Sequence, residues 1–149
     1  MEAARILAAR GEKRLRLMLV GEGAEKTALM AQAKGLPNLT FLPAMPKRDV
    51  AQLFAGSQIA LHLLADCPAF AEWTAPNKLM DGLAAGLPVI SNAPGEAARL
   101  LAAAGCGIAA PPGDAQGLAD ALVSLAANPA RRAAMGAAAR SLALRQHDR

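Results

Sequence analysis

One stretch near the middle of the chain places an amide, a cation and a carboxylate at spacings suited to nucleotide recognition. Pro76 and Asn77 open a predicted helix, and Lys78 and Asp81 follow within its first turns. Proline at the first helical position loses no hydrogen bond, so the helix end keeps free N–H groups and a positive dipole end, which suit a phosphate or diphosphate. Lys78 would add positive charge. Asp81, at i+3 on the same face, would accept hydrogen bonds from a pair of sugar hydroxyls.

Two other loops are candidates for contact with the same ligand. Gly21, Glu22 and Gly23 follow a predicted strand and lead into a helix, and glycine there permits close backbone approach. Pro43 and Met45 lie in the loop after the next predicted strand. Ligands of open α/β sheets bind beyond the carboxyl ends of the strands, where both loops belong. The glycine loop lacks the third glycine and the downstream acid of an NAD site.

These loops belong to alternating strands and helices, which predict a parallel sheet covered on both faces. Strands are predicted at 15–20, 38–42, 58–64, 87–91 and 108–109. Helices are predicted at 2–10, 25–34, 49–55, 76–86, 95–103, 114–126 and 130–144. Met30 should face inward from the second of these helices, Gly86 should end the fourth, and Asp114 should cap the sixth. We therefore expect residues 1–149 to form a single α/β unit with a three-layer, Rossmann-like sheet.

Composition narrows the class of protein. With 149 residues, 54% hydrophobic content and four aromatic side chains, the chain suits helices packed on a sheet. The net charge is +4, and basic residues gather at 10–16 and 131–149. Either group is a solvated helix face or a contact for an anionic partner such as a membrane surface. Nucleic-acid binding is disfavoured, because aromatic residues for base stacking are scarce.

Cysteine and histidine usage predicts neither a disulfide framework nor a metal site. Cys67 and Cys106 are too few for such a framework and indicate a reducing compartment. His62 and His147 stand alone, and we interpret His62 as a structural residue near the carboxyl edge of the sheet. No apolar run reaches the roughly 18 residues of a membrane span. We expect a cytoplasmic protein that touches the inner face of the membrane at most peripherally.

The stretch from Thr74 to Ser91 resembles the donor-binding motif of retaining GT-B glycosyltransferases of family 4, the group 1 glycosyltransferases. In that family an acidic residue precedes a second one by eight positions, and small apolar residues, Gly, x, Pro and Val follow. Asp81 matches the second acid, but Trp73 stands where the first belongs, and Glu72 is one residue away. The Pro-Asn-Lys and the Asp resemble a branch that builds bacterial surface polysaccharides, lipopolysaccharide among them, including transferases of N-acetylated amino sugars.

The resemblance implies a nucleotide-sugar-binding C-terminal GT-B domain that lacks its first strand, with the N-terminal acceptor domain absent. It implies transfer of a hexosyl or N-acetylhexosaminyl group, with retention, from a nucleoside diphosphate sugar to a lipid-linked or polysaccharide acceptor. UDP is favoured over GDP, and neither a metal nor a cofactor is required. Lys78, Asp81 and Glu72 would serve the reaction. The donor would contact Gly21, Glu22, Gly23, Pro43, Met45, Pro76, Asn77, Lys78 and Asp81. The chain alone should bind nucleotide and turn over poorly.

Two other functions remain open at this point. A nucleotide-sugar epimerase half shares the architecture, but it would need acids and histidines around the cleft, and few are present. A receiver-like signalling module shares the α/β layout. It would need an acidic pair after its first strand, whereas Val20 is followed by Gly-Glu-Gly.

Overall fold

The computed structural model describes residues 1–64 and 77–147, in which strands and helices alternate. The strands are β1 (Leu17–Val20), β2 (Leu39–Leu42), β3 (Ala60–His62), β4 (Val89–Ser91) and β5 (Gly107–Ala109). The helices are α1 (Glu2–Ala9), α2 (Lys26–Gln32), α3 (Lys47–Ala55), α4 (Asn77–Ala84), α5 (Glu96–Ala104), α6 (Ala115–Ala127) and α7 (Pro129–His147).

All described strand pairs are parallel, as predicted. β1 pairs with β2, with Leu17 opposite Leu39, and this pair forms a two-stranded sheet. β4 lies between β3 and β5, so His62, Ser91 and Ala109 occupy one row at the carboxyl ends of the three strands. Parallel strands joined by helices require both faces to be covered, which fixes the layered arrangement.

Two apolar clusters cover the opposite faces of the three-stranded sheet. Ile90 of β4 packs with residues of α1 and α6, and Leu17 of β1 and Leu61 of β3 border that same cluster. Val89 of β4 packs on the other face with residues of α4, α5 and α7. The shared cluster holds the two sheets in one body. Within the described residues, no helix is both long and apolar enough to cross a membrane.

Helix α4 is seated closely on β3 and ends where predicted. A methyl group built at Gly82 would lie 2.8 Å from the Cβ of Ala60, so the helix and the strand almost touch there. Gly86 has φ 72°, and its N–H donates to Leu83 O while Leu87 N–H donates to Gly82 O. That pairing satisfies the last carbonyls of the helix and requires a residue that tolerates the left-handed region.

Several predicted boundaries and one orientation were wrong. The strand predicted at 58–64 ends at His62, because the backbone of Leu64 bonds to the Asn92 side chain instead of a neighbouring strand. The strand predicted at 87–91 begins at Val89, since Leu87 belongs to the turn that ends α4 and Pro88 has no N–H. Met30 is 50% exposed rather than inward-facing, and no residue of α2 is buried.

Other predictions held or fall outside the described residues. The Asp114 side chain accepts a hydrogen bond from Gly117 N–H at 2.7 Å, which confirms the predicted cap of α6. Cys106 is buried, and burial raises the pKa of its thiol. The predictions for Cys67, Glu72 and Pro76 concern residues outside the described ranges.

Candidate functional site

The amino end of α4 lies beside the carboxyl ends of β3 and β4. Leu79 and Leu83 are 1% and 0% exposed, and their burial in the core fixes the rotation of the helix. Lys78 and Asp81 are exposed as a consequence, three residues apart along the helix. The described part of the helix begins at Asn77.

The other end of α4 is closed by α7. The Arg140 guanidinium donates a hydrogen bond to the carbonyl of Ala84, and the backbone of Gly136 lies against Gly86. A cation at a helix C-terminus is favourable, because the last carbonyls carry partial negative charge. The sequence thus anchors the C-terminal end of α4 and exposes Lys78 near its amino end.

A buried histidine lies under the first turn of α4. His62 is 1% exposed, and its Nδ1 is 2.9 Å from the Oγ of Ser91, which is fully buried. Ser91 Oγ also accepts a hydrogen bond from Ala93 N–H at 3.1 Å. Burial lowers the pKa of the imidazole, and the positive charge of Lys78 lowers it further. The ring is therefore held neutral beneath a positively charged helix end.

Asn92 fixes the chain where it leaves β3. Its side-chain oxygen accepts from Leu64 N–H at 2.7 Å, its amide donates to Leu64 O at 2.9 Å, and its own N–H donates to His62 O at 3.3 Å. Both polar groups of the Leu64 backbone are thereby paired without a strand neighbour. The carboxyl ends of β3 and β4 are held together just below the site.

The two other predicted loops meet at the carboxyl ends of β1 and β2. Gly21 N–H donates to Leu42 O at 3.3 Å, and Gly21 adopts φ 138°, which favours glycine. The ammonium of Lys26 lies 2.6 Å from the Glu22 carboxylate. This hydrogen bond holds the pKa of Glu22 below its usual value, with a smaller contribution from the backbone of Ala44. The ammonium of Lys26 also donates to Leu42 O at 3.4 Å, so Lys26 joins the glycine turn to the end of β2.

A groove between α3 and α4 extends from Asp81. Its volume is about 390 Å³, and its walls include Val50 and Phe54 of α3. Lys47, the first residue after the loop that holds Pro43 and Met45, also lines it. The groove is mostly apolar, with one carboxylate and one ammonium along its lining. Such a combination suits a flat, partly polar ligand.

The structure brings the predicted site residues into two groups. Lys78 and Asp81 share the exposed side of α4, and Gly21, Glu22 and Gly23 adjoin the loop of Pro43 and Met45. The sequence analysis interpreted His62 as structural, and it did not predict the pairing of His62 with Ser91 or the contacts of Asn92. The available signal was a lone imidazole inside an apolar strand, together with a polar pair, Ser91 and Asn92, at the end of the next strand. Within the described residues, no three His, Cys, Asp or Glu side chains cluster as metal ligands would.

Comparison with known families identifies the chain. The model of the family described as glycosyl transferases group 1 matches residues 1–128. The chain belongs to the group 1 glycosyl transferases. No match was found among curated proteins.

Several solved structures share this fold. WaaG, a glycosyltransferase involved in lipopolysaccharide biosynthesis, is similar with a TM-score of 0.69 and 25% identity, over 95% of this chain. Alr3699/HepE from Anabaena in complex with UDP-glucose gives a TM-score of 0.79 at 20% identity over 97% of this chain, and its UDP complex gives 0.80. This chain spans 38% to 40% of the length of those proteins. The prediction of a Rossmann-like, C-terminal GT-B half is confirmed at the level of the fold.

Proposed function

We propose that this chain is the donor-binding part of a glycosyltransferase that uses a nucleoside diphosphate sugar, with UDP as the preferred nucleotide. The transfer would retain the anomeric configuration, as in family 4. The acceptor would be lipid-linked or a growing surface polysaccharide, and the transferred group a hexose or an N-acetylated amino sugar. The similarity to WaaG, a glycosyltransferase involved in lipopolysaccharide biosynthesis, supports the surface-polysaccharide acceptor. The similarity to HepE, solved in complex with UDP-glucose, supports a UDP-sugar donor.

The observation that carries this proposal is the asymmetric placement of α4. Its C-terminal end is closed by Arg140, whereas Lys78 is exposed near its amino end, beyond the carboxyl ends of β3 and β4. In open α/β sheets ligands bind at that edge. Backbone N–H groups and one ammonium there match a diphosphate in both charge and hydrogen-bonding character.

Asp81 and the adjoining groove match the nucleoside. Asp81 is exposed and lines the groove between α3 and α4, so its carboxylate can accept hydrogen bonds from both ribose hydroxyls. The apolar wall from Val50 and Phe54 offers a surface for a base. Diphosphate and ribose are adjacent groups in a nucleotide, as Lys78 and Asp81 are adjacent on one helix face.

The chemistry follows from where charge develops. As the bond between the sugar and the diphosphate breaks, the leaving diphosphate gains negative charge. N–H groups and a lysine fixed near it stabilise the transition state more than the ground state. The groups that hold the acceptor would come from the other half of a two-domain enzyme, so this chain by itself should bind the donor and transfer sugar poorly.

Calorimetric titration with UDP, GDP and ADP tests the proposal. We expect saturable binding of UDP that is tighter than the binding of GDP or ADP. The absence of measurable binding to all three nucleotides would contradict the proposal. A response to Mg²⁺ with a phosphoryl mimic, and none to nucleotides, would favour the receiver-like module instead.

Two variants separate the ribose contact from the diphosphate contact. Asp81→Ala should weaken UDP binding about tenfold or more, because charge-assisted hydrogen bonds contribute roughly 1.5–3 kcal/mol each. Pyrophosphate binding should change little in that variant. Lys78→Ala should weaken the binding of both UDP and pyrophosphate, and Lys78→Arg should restore part of the lost affinity. Both side chains are exposed, so thermal stability should stay nearly constant and serves as the control for folding.

A further inference from the structure

We propose that His62 Nε2 donates a hydrogen bond to a phosphoryl oxygen of the bound nucleotide sugar, which makes this histidine part of the diphosphate site. The inference rests on the proposed function and adds a residue that the sequence motif does not contain. Its evidence is the position of the imidazole, the pairing of its other nitrogen and the state of Nε2.

The position of His62 follows from the contact between α4 and β3. Gly82 lies directly over Ala60, and His62 is two residues further along the same face of the strand. Two residues advance about 6.6 Å along a strand. Helix α4 runs in the opposite direction, and that distance corresponds to about four helical residues, which leads from Gly82 to Lys78. The electrostatic influence of Lys78 on His62 agrees with this placement.

The pairing of Nδ1 indicates where the imidazole proton lies. Ser91 Oγ already accepts a hydrogen bond from Ala93 N–H, and its own hydroxyl proton needs an acceptor. His62 Nδ1, at 2.9 Å, is that acceptor when the ring carries its proton on Nε2. This assignment satisfies every polar group of Ser91 and leaves Nε2–H as a donor.

Nε2 is a buried polar atom that has no hydrogen-bond partner among residues 1–64 and 77–147. Only one other side-chain atom of the described residues, Asn38 Oδ1, shares that condition. An unpaired buried donor costs roughly 1–3 kcal/mol, so its retention under a helix end calls for a partner. In an imidazole ring Nε2 lies farther from the backbone than Nδ1 does, which brings it towards the layer of α4 above the strand. A phosphoryl oxygen held by that end of the helix would supply the missing acceptor.

Nuclear magnetic resonance of the imidazole nitrogens tests the inference in the unaltered chain. The chain contains two histidines, and a His147→Gln variant assigns the signals. UDP and pyrophosphate should both shift the His62 Nε2 signal saturably, and uridine should not. The His147 signals, on the C-terminal helix, should stay constant and provide the internal reference.

Two substitutions distinguish a ligand contact from a structural role. The amide nitrogen of His62→Gln falls near the position of Nε2, and that of His62→Asn falls near Nδ1. If Nε2 binds the diphosphate, the Gln variant should keep UDP affinity within about threefold of the original, and the Asn variant should lose about tenfold. If His62 acts only through Ser91, the order should reverse. The thermal transition of each variant shows whether it is folded. If either variant is unfolded, the ligand titration of the unaltered chain, followed at the imidazole nitrogens, decides between the two roles.

The possible outcomes separate the two proposals. UDP binding with a shift at His62 Nε2 and the order Gln above Asn supports this inference. Three results would overturn this inference and leave the proposed function standing. They are UDP binding without a change in the His62 signal, a change with uridine alone, and a higher UDP affinity in the Asn variant than in the Gln variant. Absence of nucleotide binding to the unaltered chain overturns both.

Discussion

His62 and Lys78 lie near each other but differ in their exposure to solvent. His62 is 1% exposed, and burial lowers the pKa of its imidazole, with a further decrease from the charge of Lys78. Lys78, in contrast, is exposed to solvent. The candidate site therefore places an exposed ammonium near a buried imidazole.

The lowered pKa of His62 predicts a specific dependence of stability on pH. Above the unfolded value of about 6.5 the ring is neutral in both states, and this residue imposes no penalty. As pH falls below 6.5, the unfolded chain binds the proton first. The free energy of unfolding therefore decreases until pH reaches the folded pKa, by at most about 1.4 kcal/mol per pH unit.

Denaturant unfolding between pH 7.5 and pH 5 measures this dependence. His62→Asn should lack the decrease that the original chain shows, while His147 is common to both proteins and cancels. Hydrogen bonds with Arg14 lower the pKa of Glu12 to about 2, and the pKa values of Glu22 and Asp120 are also lowered. These carboxyls titrate mostly below pH 5, so they contribute little to the slope of stability against pH in this range. Identical slopes for the two proteins would contradict the assignment of a lowered pKa to His62.

At the scale of elements, the site depends on how closely α4 approaches the sheet. Gly82 has no side chain to separate the helix from Ala60 and Val89, so α4 can place its first turn over His62. Arg140 and Gly136 of α7 hold the opposite end. Small displacements of this helix would change the distance between Lys78 and the carboxyl ends of β3 and β4.

Gly82→Ala should therefore lower both stability and UDP affinity. The added methyl would meet Ala60 Cβ at 2.8 Å, and such overpacking costs typically 1–3 kcal/mol. Since alanine gains about 1 kcal/mol in helix propensity, the net loss of stability should be at most about 2 kcal/mol. Denaturant unfolding and UDP titration measure the two effects.

Gly56→Ala is the matched control. Gly56 ends α3 with φ −89°, and its nearest contacts for a new methyl are backbone oxygens at 3.7 and 3.9 Å. Its substitution should change stability by less than about 0.5 kcal/mol. Equal behaviour of the two alanine variants would show that the approach of α4 to β3 is looser than described.

The sequence predicted the elements well where a residue has a local physical role. Gly86 ends α4 and Asp114 caps α6, because a left-handed turn and a capping carboxylate are determined by near neighbours. The ends of β3 and the exposure of Met30 depend on tertiary partners. The hydrogen bonds between the Asn92 side chain and the Leu64 backbone join residues 28 positions apart, and no local pattern reveals them.

The candidate site shows the same division. Lys78 and Asp81 were predictable, because one short helix fixes their spacing. The pairing of His62 with Ser91 arises only when β3 and β4 align in register, so it required the structure. Glu72 and Pro76 remain predictions, since they lie outside the described residues.

At the scale of the whole molecule, two parallel sheets share one apolar cluster without a described strand pair between them. β4 has partners on both sides, and Val89, Ile90 and Ser91 are 1%, 0% and 0% exposed. Among the described strands, β1 pairs with β2 alone, and Met18 and Val20 are 43% and 38% exposed. Two-stranded sheets gain little stability by themselves.

Hydrogen exchange should reveal this difference. Backbone amides of β4 should be the most protected, and those of β1 and β2 should exchange at least about tenfold faster, because they open with a smaller free energy. Exchange followed by mass spectrometry or nuclear magnetic resonance measures the rates. Uniform protection across all five strands would contradict the view that β1 and β2 form the weaker part of the fold.

The location of bound UDP tests the central claim most directly. Backbone amide signals of the isotope-labelled, 149-residue chain can be followed as UDP is added. We predict that the largest saturable shifts occur at Asn77, Lys78 and Asp81, with smaller ones from Gly21 to Gly23. Shifts confined to the α1 and α6 surface, or no saturable shifts at any UDP concentration, would contradict the claim that this helix end holds the nucleotide.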